Sequence, residues 1–487
     1  MQDPNPSHLD LQATAKEIMQ RHGFEPDFPP AVSAQLANLG QQPAVSPSRD
    51  VRDMRNLLWS SIDNDTSRDL DQIEVVERAS NGDVKIMVGI ADVDTFVAKL
   101  TPIDQHAARE TTTVYTGIRN FPMLPEQLST GVTSLLENQD RLGIVIEFVV
   151  DTTGNLKSSD VYRALVRNKA QLQYNSVGAW LEATAAPPPK VASSTELQYQ
   201  LKLQSETAQK LKSQRFQNGA LNLQTDEVHP LVLNDKVVDV VKQQKNHATE
   251  LIEDFMVAAN GVVARLLENV SSLRRIVRTP KRWDRIVQLA ATKGETLPAQ
   301  PDSKALNDLL LRRKAADPDH FADLSLAVIK LIGPGEYVLE RAGDTAPGHF
   351  GLAVQDYTHS TAPNRRFADI VTQRLIKAML AGQTNPYSDD ELTAIASNCT
   401  QKEDAARKVE REMSKRLAAV AMQHRIGEVF DAIVTGATDH GTFVRVLQPH
   451  VEGLLAQGAQ GLDVGDKLKV RLIRADVRSG YIDFARA

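Results

Sequence analysis

The spacing of apolar positions divides the chain into a helical start, a mixed centre and a β-rich end. Apolar residues recur at helical spacing between residues 8 and 40, as Leu11, Ala15 and Ile18 illustrate. The following segment, 41–49, is rich in Pro, Ser and Gln, which is typical of a linker. We therefore expect a small helical module and linker at the start of the chain.

In the centre, the pattern changes to strands and then to long helices. Apolar runs at 73–76 and 84–90 flank Asn81-Gly82, a strong hairpin signal, and 142–150 is a further strand. Helical spacing then extends over 239–269 and returns in later segments. This mixture predicts an α+β domain.

After residue 426 the pattern is all β. Glycines punctuate short strand-like runs, at 429–434, 441–446, 451–455, 467–473 and 481–484. Five strands in this length suit a small closed barrel of the OB type. The expected domains are therefore 1–48, 49–425 and 426–487.

Composition narrows the class of protein. Lys and Arg total 56 against 62 Asp and Glu, a net charge of -6, which excludes a chain-wide basic field but not a local basic groove. The single cysteine, Cys399, excludes a disulfide framework and a cysteine-built zinc site. No signal peptide is evident, and no apolar run approaches the ~20 residues that span a bilayer. We expect a cytoplasmic protein with no membrane partner.

The sharpest chemical feature is a group of aspartates just before the first central strand. Asp69 and Asp71 are two apart, so an extended backbone points both to one face, and a turn at 64–68 would fold Asp63 back beside them. Crowded carboxylates repel unless a cation neutralises them, and hard oxygen ligands select Mg²⁺ or Mn²⁺. Two such ions would suit phosphodiester hydrolysis. The alternative is a solvated acidic turn.

Two further segments carry candidate residues. Pro363 before an amphipathic pattern predicts a helix whose first turn holds Arg365 and Arg366. Cations there oppose the helix dipole, and a bound phosphate would remove that conflict. The alternative is a surface pair with Asp369. Glu253 lies between apolar helical positions, so it points either into a cleft or to solvent.

These segments together resemble the RNase II (RNB) family of processive 3′→5′ exoribonucleases. The resemblance covers about residues 50–425 and depends on five motifs in order, at 62–71, 89–93, 121–125, 251–256 and 357–369. The tail, with His440-Gly441-Thr442-Phe443-Val444, resembles an S1 RNA-binding domain.

The resemblance implies a catalytic domain with a mixed sheet surrounded by helices. It also implies Mg²⁺-dependent hydrolysis of single-stranded RNA, threaded through a channel, to 5′-nucleoside monophosphates. The residues that match catalytic positions are Asp69, Asp71 and Arg365. The matching metal positions are Asp63, Asp69, Asp71 and Gln72. Candidate RNA-binding residues of the catalytic domain are Tyr115, Tyr174, Leu223, Glu253 and Arg366. Those of the barrel are Phe443, Arg445 and Lys469.

The chain departs from the family pattern at three points. Gln72 replaces a fourth aspartate, so one negative charge is missing, which either weakens binding of a second metal ion or shifts ligation to Asp65. Leu223 stands where an aromatic partner of Tyr115 is expected, which leaves the terminal-base clamp half aromatic. About 48 residues precede the catalytic domain, too few for two cold-shock barrels, and a helix-turn-helix-like module would take their place.

Gln72 also motivates a rival hypothesis, an inactive or weakened RNA-binding protein of the same fold. A DNA exonuclease is a third possibility. For every hypothesis we expect the chain to act as a monomer.

Overall fold

A computed structural model describes residues 10–39, 50–224, 227–233, 236–243, 245–345, 347–438 and 441–487. The α-helices are α1 (Leu11–Arg21), α2 (Pro30–Asn38), α3 (Pro102–Glu110), α4 (Tyr174–Leu181), α5 (Pro189–Ala192), α6 (Thr195–Gln217), α7 (His247–Leu266), α8 (Trp283–Thr292), α9 (Ser303–Ala316), α10 (Phe321–Ile332), α11 (Phe367–Leu380) and α12 (Asp389–Met422).

The strands alternate with these helices in the first four fifths of the chain and then follow one another. They are β1 (Arg52–Asp53), β2 (Ser60–Asp63), β3 (Gln72–Arg78), β4 (Val84–Ala91), β5 (Val114–Tyr115), β6 (Asn120–Phe121), β7 (Asp140–Val150), β8 (Leu156–Arg167), β9 (Ala170–Gln173), β10 (Glu227–Leu233), β11 (Lys236–Gln243), β12 (Ser272–Ile276), β13 (Glu336–Glu340), β14 (Val429–Thr438), β15 (Gly441–Val446), β16 (Val451–Gln457), β17 (Lys467–Asp476) and β18 (Tyr481–Arg486).

A seven-stranded sheet organises the large domain, in the order β1-β8-β7-β4-β3-β2-β9. Its centre is an antiparallel meander, β3-β4-β7-β8, and the hairpin predicted at Asn81-Gly82 joins β3 to β4. The outer pairs β1–β8 and β2–β9 are parallel. Because β4 is buried on both faces over most of its length, it carries an almost continuous apolar run, whereas β3 is buried over its first five residues and includes the polar Gln72 and Glu74.

Helices cover this sheet and extend its core. Phe255 of α7 is fully buried against the sheet residues. The predicted helix over 239–269 was wrong at its start, because 236–243 is strand β11, paired with β10 in a hairpin that we did not predict. The run Val237-Val238-Asp239-Val240-Val241 is rich in β-branched residues, which favour strands over helices. The helix itself begins at His247 behind a capping box on Asn246.

The N-terminal helices dock on the large domain. Asp10 caps α1, and Ile18 of α1 shares a buried cluster with Val409 and Met413 of α12. Val32 of α2 joins the main core. Helices in this segment are as predicted, while the linker at 41–49 lies outside the described residues. The helix-turn-helix-like character stays a prediction.

The C-terminal strands form a closed five-stranded barrel, in the order β14-β15-β16-β18-β17. Its core contains Val434, Val444 and Phe484, and the end of α12 contributes Met422 to the same cluster. The predicted α+β fold with a terminal OB-type barrel is confirmed. Within the described part of the chain, no helix combines the length and apolarity that crossing a membrane requires.

Candidate active site

The aspartate-rich loop between β2 and β3 is folded back on itself. The Asp63 Oδ1 atom accepts hydrogen bonds from the backbone N–H of Asn64, at 2.7 Å, and from the hydroxyl of Ser67, at 2.8 Å. Such side-chain acceptance close to the residue itself is how aspartate stabilises a turn. Leu70 is buried in the core and anchors the loop between Asp69 and Asp71. The predicted turn therefore exists and brings Asp63 toward the later aspartates.

Asp71 is the most buried of these carboxylates, with 1% of its surface exposed. Its Oδ1 atom accepts the backbone N–H of Asn364 at 2.9 Å, although 293 positions separate the two residues. Its Oδ2 atom lies 3.3 Å from Nε of Arg365. Burial raises the pKa of Asp71 to about 7, and the charge of Arg365 and the Asn364 hydrogen bond oppose that rise. The structure thus joins the two strongest candidate segments.

Asp69 and Tyr115 surround the same guanidinium. Burial raises the pKa of Asp69, the charge of Arg365 lowers it, and repulsion from Asp63 adds to the rise. Desolvation raises the pKa of Tyr115 to about 12, and Arg365 opposes this shift as a hydrogen-bond partner. The ring of Tyr115 stays 41% exposed, so an apolar face remains open beside the charged groups.

The two arginines have different roles, because the helix starts later than predicted. Helix α11 begins at Phe367, so Arg365 precedes it and Arg366 is its N-cap residue. The dipole conflict that we expected for a first-turn arginine pair is therefore wrong. Arg366 binds both carboxylate oxygens of Asp369, at 2.8 Å each. Asp369 is the partner that the surface-pair alternative named, but its carboxylate is fully buried, so the pair does not lie at the surface. The Arg365 side chain is left beside Asp71.

The expected metal ligands converge only in part. Across the residues that the structure describes, no three His, Cys, Asp or Glu side chains form a group that would hold a metal ion. One reason is that the oxygens of Asp71 already face Asn364 and Arg365. Gln72 is a buried residue of β3, opposite Ile90.

A divalent ion is nevertheless compatible with this site. Magnesium usually takes only one or two protein carboxylates and completes its shell with waters and substrate phosphate. Asp63 and Asp69 form a repelling pair of hard oxygen donors. The residues present therefore fit Mg²⁺ as a pair of carboxylates, with the remaining positions left to RNA and water.

A separate cleft of about 550 Å³ is connected to these groups through Tyr174, which lines it and is influenced by the charges of Asp63 and Arg365. Tyr174, Leu223 and Glu253 all line it, so the structure brings three predicted RNA-binding residues together. Tyr115 is not among the lining residues, so Leu223 shares a wall with Tyr174 and not with Tyr115 as we expected. The cations that line the cleft are Lys212, Arg215, Lys245 and Lys314.

The acidic residues of the cleft pair with several of these cations. Glu253 accepts from Lys245 at 2.7 Å and remains half exposed, which is the cleft-facing alternative of the sequence prediction. Asp254 is buried against Arg215. Burial raises the pKa of Asp254 to about 7, against the effect of the Arg215 charge.

The three barrel residues that were predicted to bind RNA differ in how far they are exposed to solvent. Arg445 pairs with Asp323 of α10 at 3.1 Å and is only 14% exposed, so its guanidinium is held against the large domain. Lys469 pairs with Asp431 at the surface. Phe443 lies on β15 opposite Leu454 and is half-buried.

The sequence analysis did not identify one buried carboxylate near the site, that of Glu74. Glu74 of β3 is fully buried, and neither carboxyl oxygen accepts a hydrogen bond from any described residue. Burial and repulsion from Asp63 raise its pKa well above the ordinary value. The signal was an acid between Ile73 and Val75, inside an apolar strand.

Comparison with known families agrees with this geometry. The RNB domain matches residues 51–382, and the RNase II-type exonuclease C-terminal S1 domain matches residues 428–487. The chain therefore belongs to the RNB family, and the predicted resemblance is confirmed.

Its curated relatives include two bacterial enzymes named Ribonuclease R. The protein from Thermotoga maritima is 30% identical over 468 residues, which cover 89% of this chain and 64% of the relative. The protein from Escherichia coli is 28% identical and covers 96% of this chain and 61% of the relative. The chain thus spans about three fifths of the length of these relatives.

Solved structures show the same fold. The apo form of Mycoplasma genitalium RNase R superposes with a TM-score of 0.87 at 23% identity, covering 98% of this chain and 78% of that one. Yeast Ssd1, described as a pseudonuclease, has a TM-score of 0.69 at 17% identity and covers 91% of this chain and 55% of its own. Because an RNase and a pseudonuclease share the architecture, activity must be argued from the site residues.

Proposed function

We propose that this protein is a processive 3′→5′ exoribonuclease that hydrolyses single-stranded RNA to 5′-nucleoside monophosphates. The observation that carries the proposal is the convergence of Asp71, Asn364 and Arg365 from distant parts of the chain. A buried carboxylate beside an arginine, next to a pair of repelling carboxylates, suits phosphodiester hydrolysis, because the arginine can stabilise charge on the phosphate and the carboxylates can hold a divalent ion.

Each side chain has a defined task in this proposal. Arg365 binds the scissile phosphate and stabilises the charge that develops on it during attack, because a guanidinium matches phosphate geometry. The N–H of Asn364 fixes the orientation of the Asp71 carboxylate. Asp63 and Asp69 would hold Mg²⁺ or Mn²⁺. When bound, such an ion supplies Lewis acidity and lowers the pKa of water.

The open faces of Tyr115 and Tyr174 suit bases, since stacking on an aromatic ring is worth ~1–3 kcal/mol per base. The cleft that contains Tyr174 also supplies lysine and arginine for phosphates. The assignment of Leu223, Glu253 and Arg366 to RNA belongs to the same proposal, as does that of Phe443 and Lys469 on the barrel. Arg445 would act by holding the barrel beside the cleft.

The remaining parts of the proposal concern the whole chain. We propose a catalytic domain over 49–425 between an N-terminal module at 1–48 and an S1-type barrel at 426–487. We also propose that the protein works as a monomer in the cytoplasm.

The decisive experiment is digestion of 5′-labelled and uniformly labelled poly(A) with Mg²⁺. Wild-type protein should release 5′-AMP, and Asp71→Asn should slow release by at least about 100-fold with little loss of RNA affinity, because the amide keeps the shape but not the charge. Glu77→Gln, at the exposed end of β3 and paired with Lys85, is the matched control and should cut normally.

Two other outcomes of this experiment would each support one of the alternative functions. RNA binding without any monophosphate, with Mg²⁺ or Mn²⁺, would establish the inactive RNA-binding alternative. Equal rates on DNA and RNA of the same sequence would favour a DNA exonuclease, because RNA selectivity depends on contacts to the 2′-OH.

A further inference from the structure

A buried segment of three residues, 133–135, contacts both loops that form the candidate active site. It follows a single π-helical turn, Gln127–Val132, and π-helices are rare and often occur at functional sites. All three residues are at most 3% exposed, so their polar groups depend on partners within the protein. We call this segment the brace, because it bonds to the aspartate-rich loop on one side and to the loop before α11 on the other.

Within the brace, Ser134 holds the backbone on both sides of Asp69. Its hydroxyl donates to the carbonyl oxygen of Arg68 at 2.6 Å and accepts the N–H of Leu70 at 3.0 Å. The N–H of Leu135 donates to the carbonyl oxygen of Leu70, also at 3.0 Å. Because the planar peptide groups before and after Asp69 are both held, the direction in which the Asp69 side chain leaves the backbone is fixed.

Thr133 connects the brace to the second loop. Its hydroxyl lies 2.6 Å from Oδ1 of Asn364 and 2.7 Å from the carbonyl oxygen of Leu128, in the π-helical turn. Asn364 is 1% exposed, donates its backbone N–H to Asp71 and directly precedes Arg365. The brace therefore holds the residue through which the arginine loop reaches the buried aspartate.

The brace is itself attached to the central sheet. Nε of Arg141, in β7, donates to the carbonyl oxygen of Ser134 at 2.9 Å. Nδ2 of Asn168, between β8 and β9, donates to the carbonyl oxygen of Leu135 at 3.0 Å. Such support matters because a displacement of reacting groups by about 1 Å can cost about 100-fold in rate.

We propose that Thr133 and Ser134 are positioning residues that keep the aspartate-rich loop and the loop of Asn364 and Arg365 at the separation that cleavage needs. The inference rests on the proposed function for the reaction, and it assigns these two hydroxyls an action through Asp69 and Asn364. The alternative is that they stabilise the fold as any buried hydrogen-bonded hydroxyl does.

The first test is Ser134→Ala, which frees the peptide groups around Asp69. Single-turnover cleavage of labelled poly(A), measured far below the melting temperature, should slow at least tenfold, while RNA affinity in EDTA stays within threefold of wild type. Deuterium exchange at the Leu70 amide should accelerate at least tenfold, because its acceptor is gone.

Ser272→Ala in β12 is the matched control. Ser272 is as completely buried as Ser134, but its hydroxyl has no hydrogen-bond partner among the described residues. This variant should cleave RNA at the wild-type rate. A loss as large as that of Ser134→Ala would show that removing any buried hydroxyl has the same effect, and would overturn the inference.

The second test separates the Thr133 hydroxyl from its packing. Thr133→Val keeps the shape of the side chain and should slow single-turnover cleavage at least fivefold, whereas Thr133→Ser keeps the hydroxyl and should stay within twofold of wild type. This pair replaces the first test if Ser134→Ala does not fold. Wild-type rates in Ser134→Ala or Thr133→Val, or no recovery in Thr133→Ser, would overturn the inference.

The outcomes distinguish this inference from the proposed function. Wild-type protein that releases 5′-AMP, together with Ser134→Ala and Thr133→Val variants that cut equally fast, would refute the role of the brace alone. Wild-type protein that releases no monophosphate would refute the exoribonuclease. Faster exchange at Leu70 in Ser134→Ala would then still support the hold of the brace on the aspartate-rich loop, and unchanged exchange would refute that as well.

Discussion

At the scale of single residues, the two neighbouring arginines differ in role: one stabilises the protein structure, and the other is available to bind a phosphate. Arg366 is committed to Asp369, whose carboxylate also accepts the N–H of Ala362 and so holds the loop before α11. Among the residues that the structure describes, Arg365 has no such bidentate partner, and its side chain is half exposed beside Asp71. One arginine therefore fixes the loop while the other remains accessible to a phosphate.

This difference predicts the behaviour of Arg365 variants. Arg365→Ala should slow single-turnover cleavage about 100-fold or more, with less than a tenfold change in RNA affinity, because the guanidinium stabilises charge that develops only during reaction. Arg365→Lys should recover part of the rate, since it keeps the charge but loses the planar fork. The measurement is rapid-quench kinetics at saturating enzyme. An unchanged rate in Arg365→Ala would remove this residue from the mechanism.

At the scale of elements, the start of α7 is locked to α4 and so positions Tyr174. Asn246 caps α7 and donates from Nδ2 to the carbonyl oxygen of Tyr174, the first residue of α4, at 3.1 Å. Gly178 of α4 leaves room for this side chain, because a Cβ atom there would lie 2.3 Å from Asn246 Cγ. The cleft wall therefore depends on a glycine in the middle of a helix.

Because of this contact with Asn246, we expect Gly178→Ala to lower the stability of the protein, although a Gly-to-Ala substitution in a helix usually raises it. Alanine in a helix interior normally stabilises by roughly 0.5–1 kcal/mol over glycine, but here overpacking should cost ~1–3 kcal/mol and displace Tyr174. RNA affinity should fall with stability. Urea unfolding and RNA titration measure the two effects.

Gly261→Ala is the matched control within α7. A Cβ atom at Gly261 meets only the end of Arg265, at 3.6 Å, so this variant should gain stability and bind RNA normally. A stabilised Gly178→Ala with normal affinity would contradict the role of the junction.

At the scale of the whole molecule, the N-terminal helices form part of the folded structure. Phe28, between α1 and α2, contacts the ring of His106 in α3 with 4.7 Å between ring centroids. The imidazole is 4% exposed, and burial lowers its pKa to about 4, with Arg109 and Lys402 adding to the shift and Glu25 opposing it. Docking of the terminal module thus keeps this histidine neutral.

The depressed pKa of His106 predicts a loss of stability in acid. The unfolded chain takes up the proton below pH 6.5 while the folded chain does so only near pH 4, so stability falls as the pH drops through this interval. Between pH 8 and pH 5 the contribution is about 2 kcal/mol. Wild-type protein should lose about that much more unfolding free energy than His106→Gln in urea titrations at the two pH values. Equal losses would place the imidazole in solvent.

Much of the architecture follows from local patterns in the sequence. Strand alternation, the turn at Asn81-Gly82 and the glycine-punctuated tail predicted the central sheet and the barrel correctly, because backbone geometry imposes these periods on any chain. The same holds for the loop that carries Asp63, Asp69 and Asp71, since aspartates at this spacing form a turn before a strand. Local geometry sufficed for these features.

Only the tertiary structure decided which side chains meet. It placed Arg365 on Asp71, paired Arg366 with Asp369, and left Glu74 buried without a hydrogen-bond partner in the described chain. It also put β11 where helical spacing was expected. These outcomes depend on packing between segments far apart in the chain, where burial and competing partners set the energy of each contact. Periodicity along the sequence does not predict which distant residues make contact.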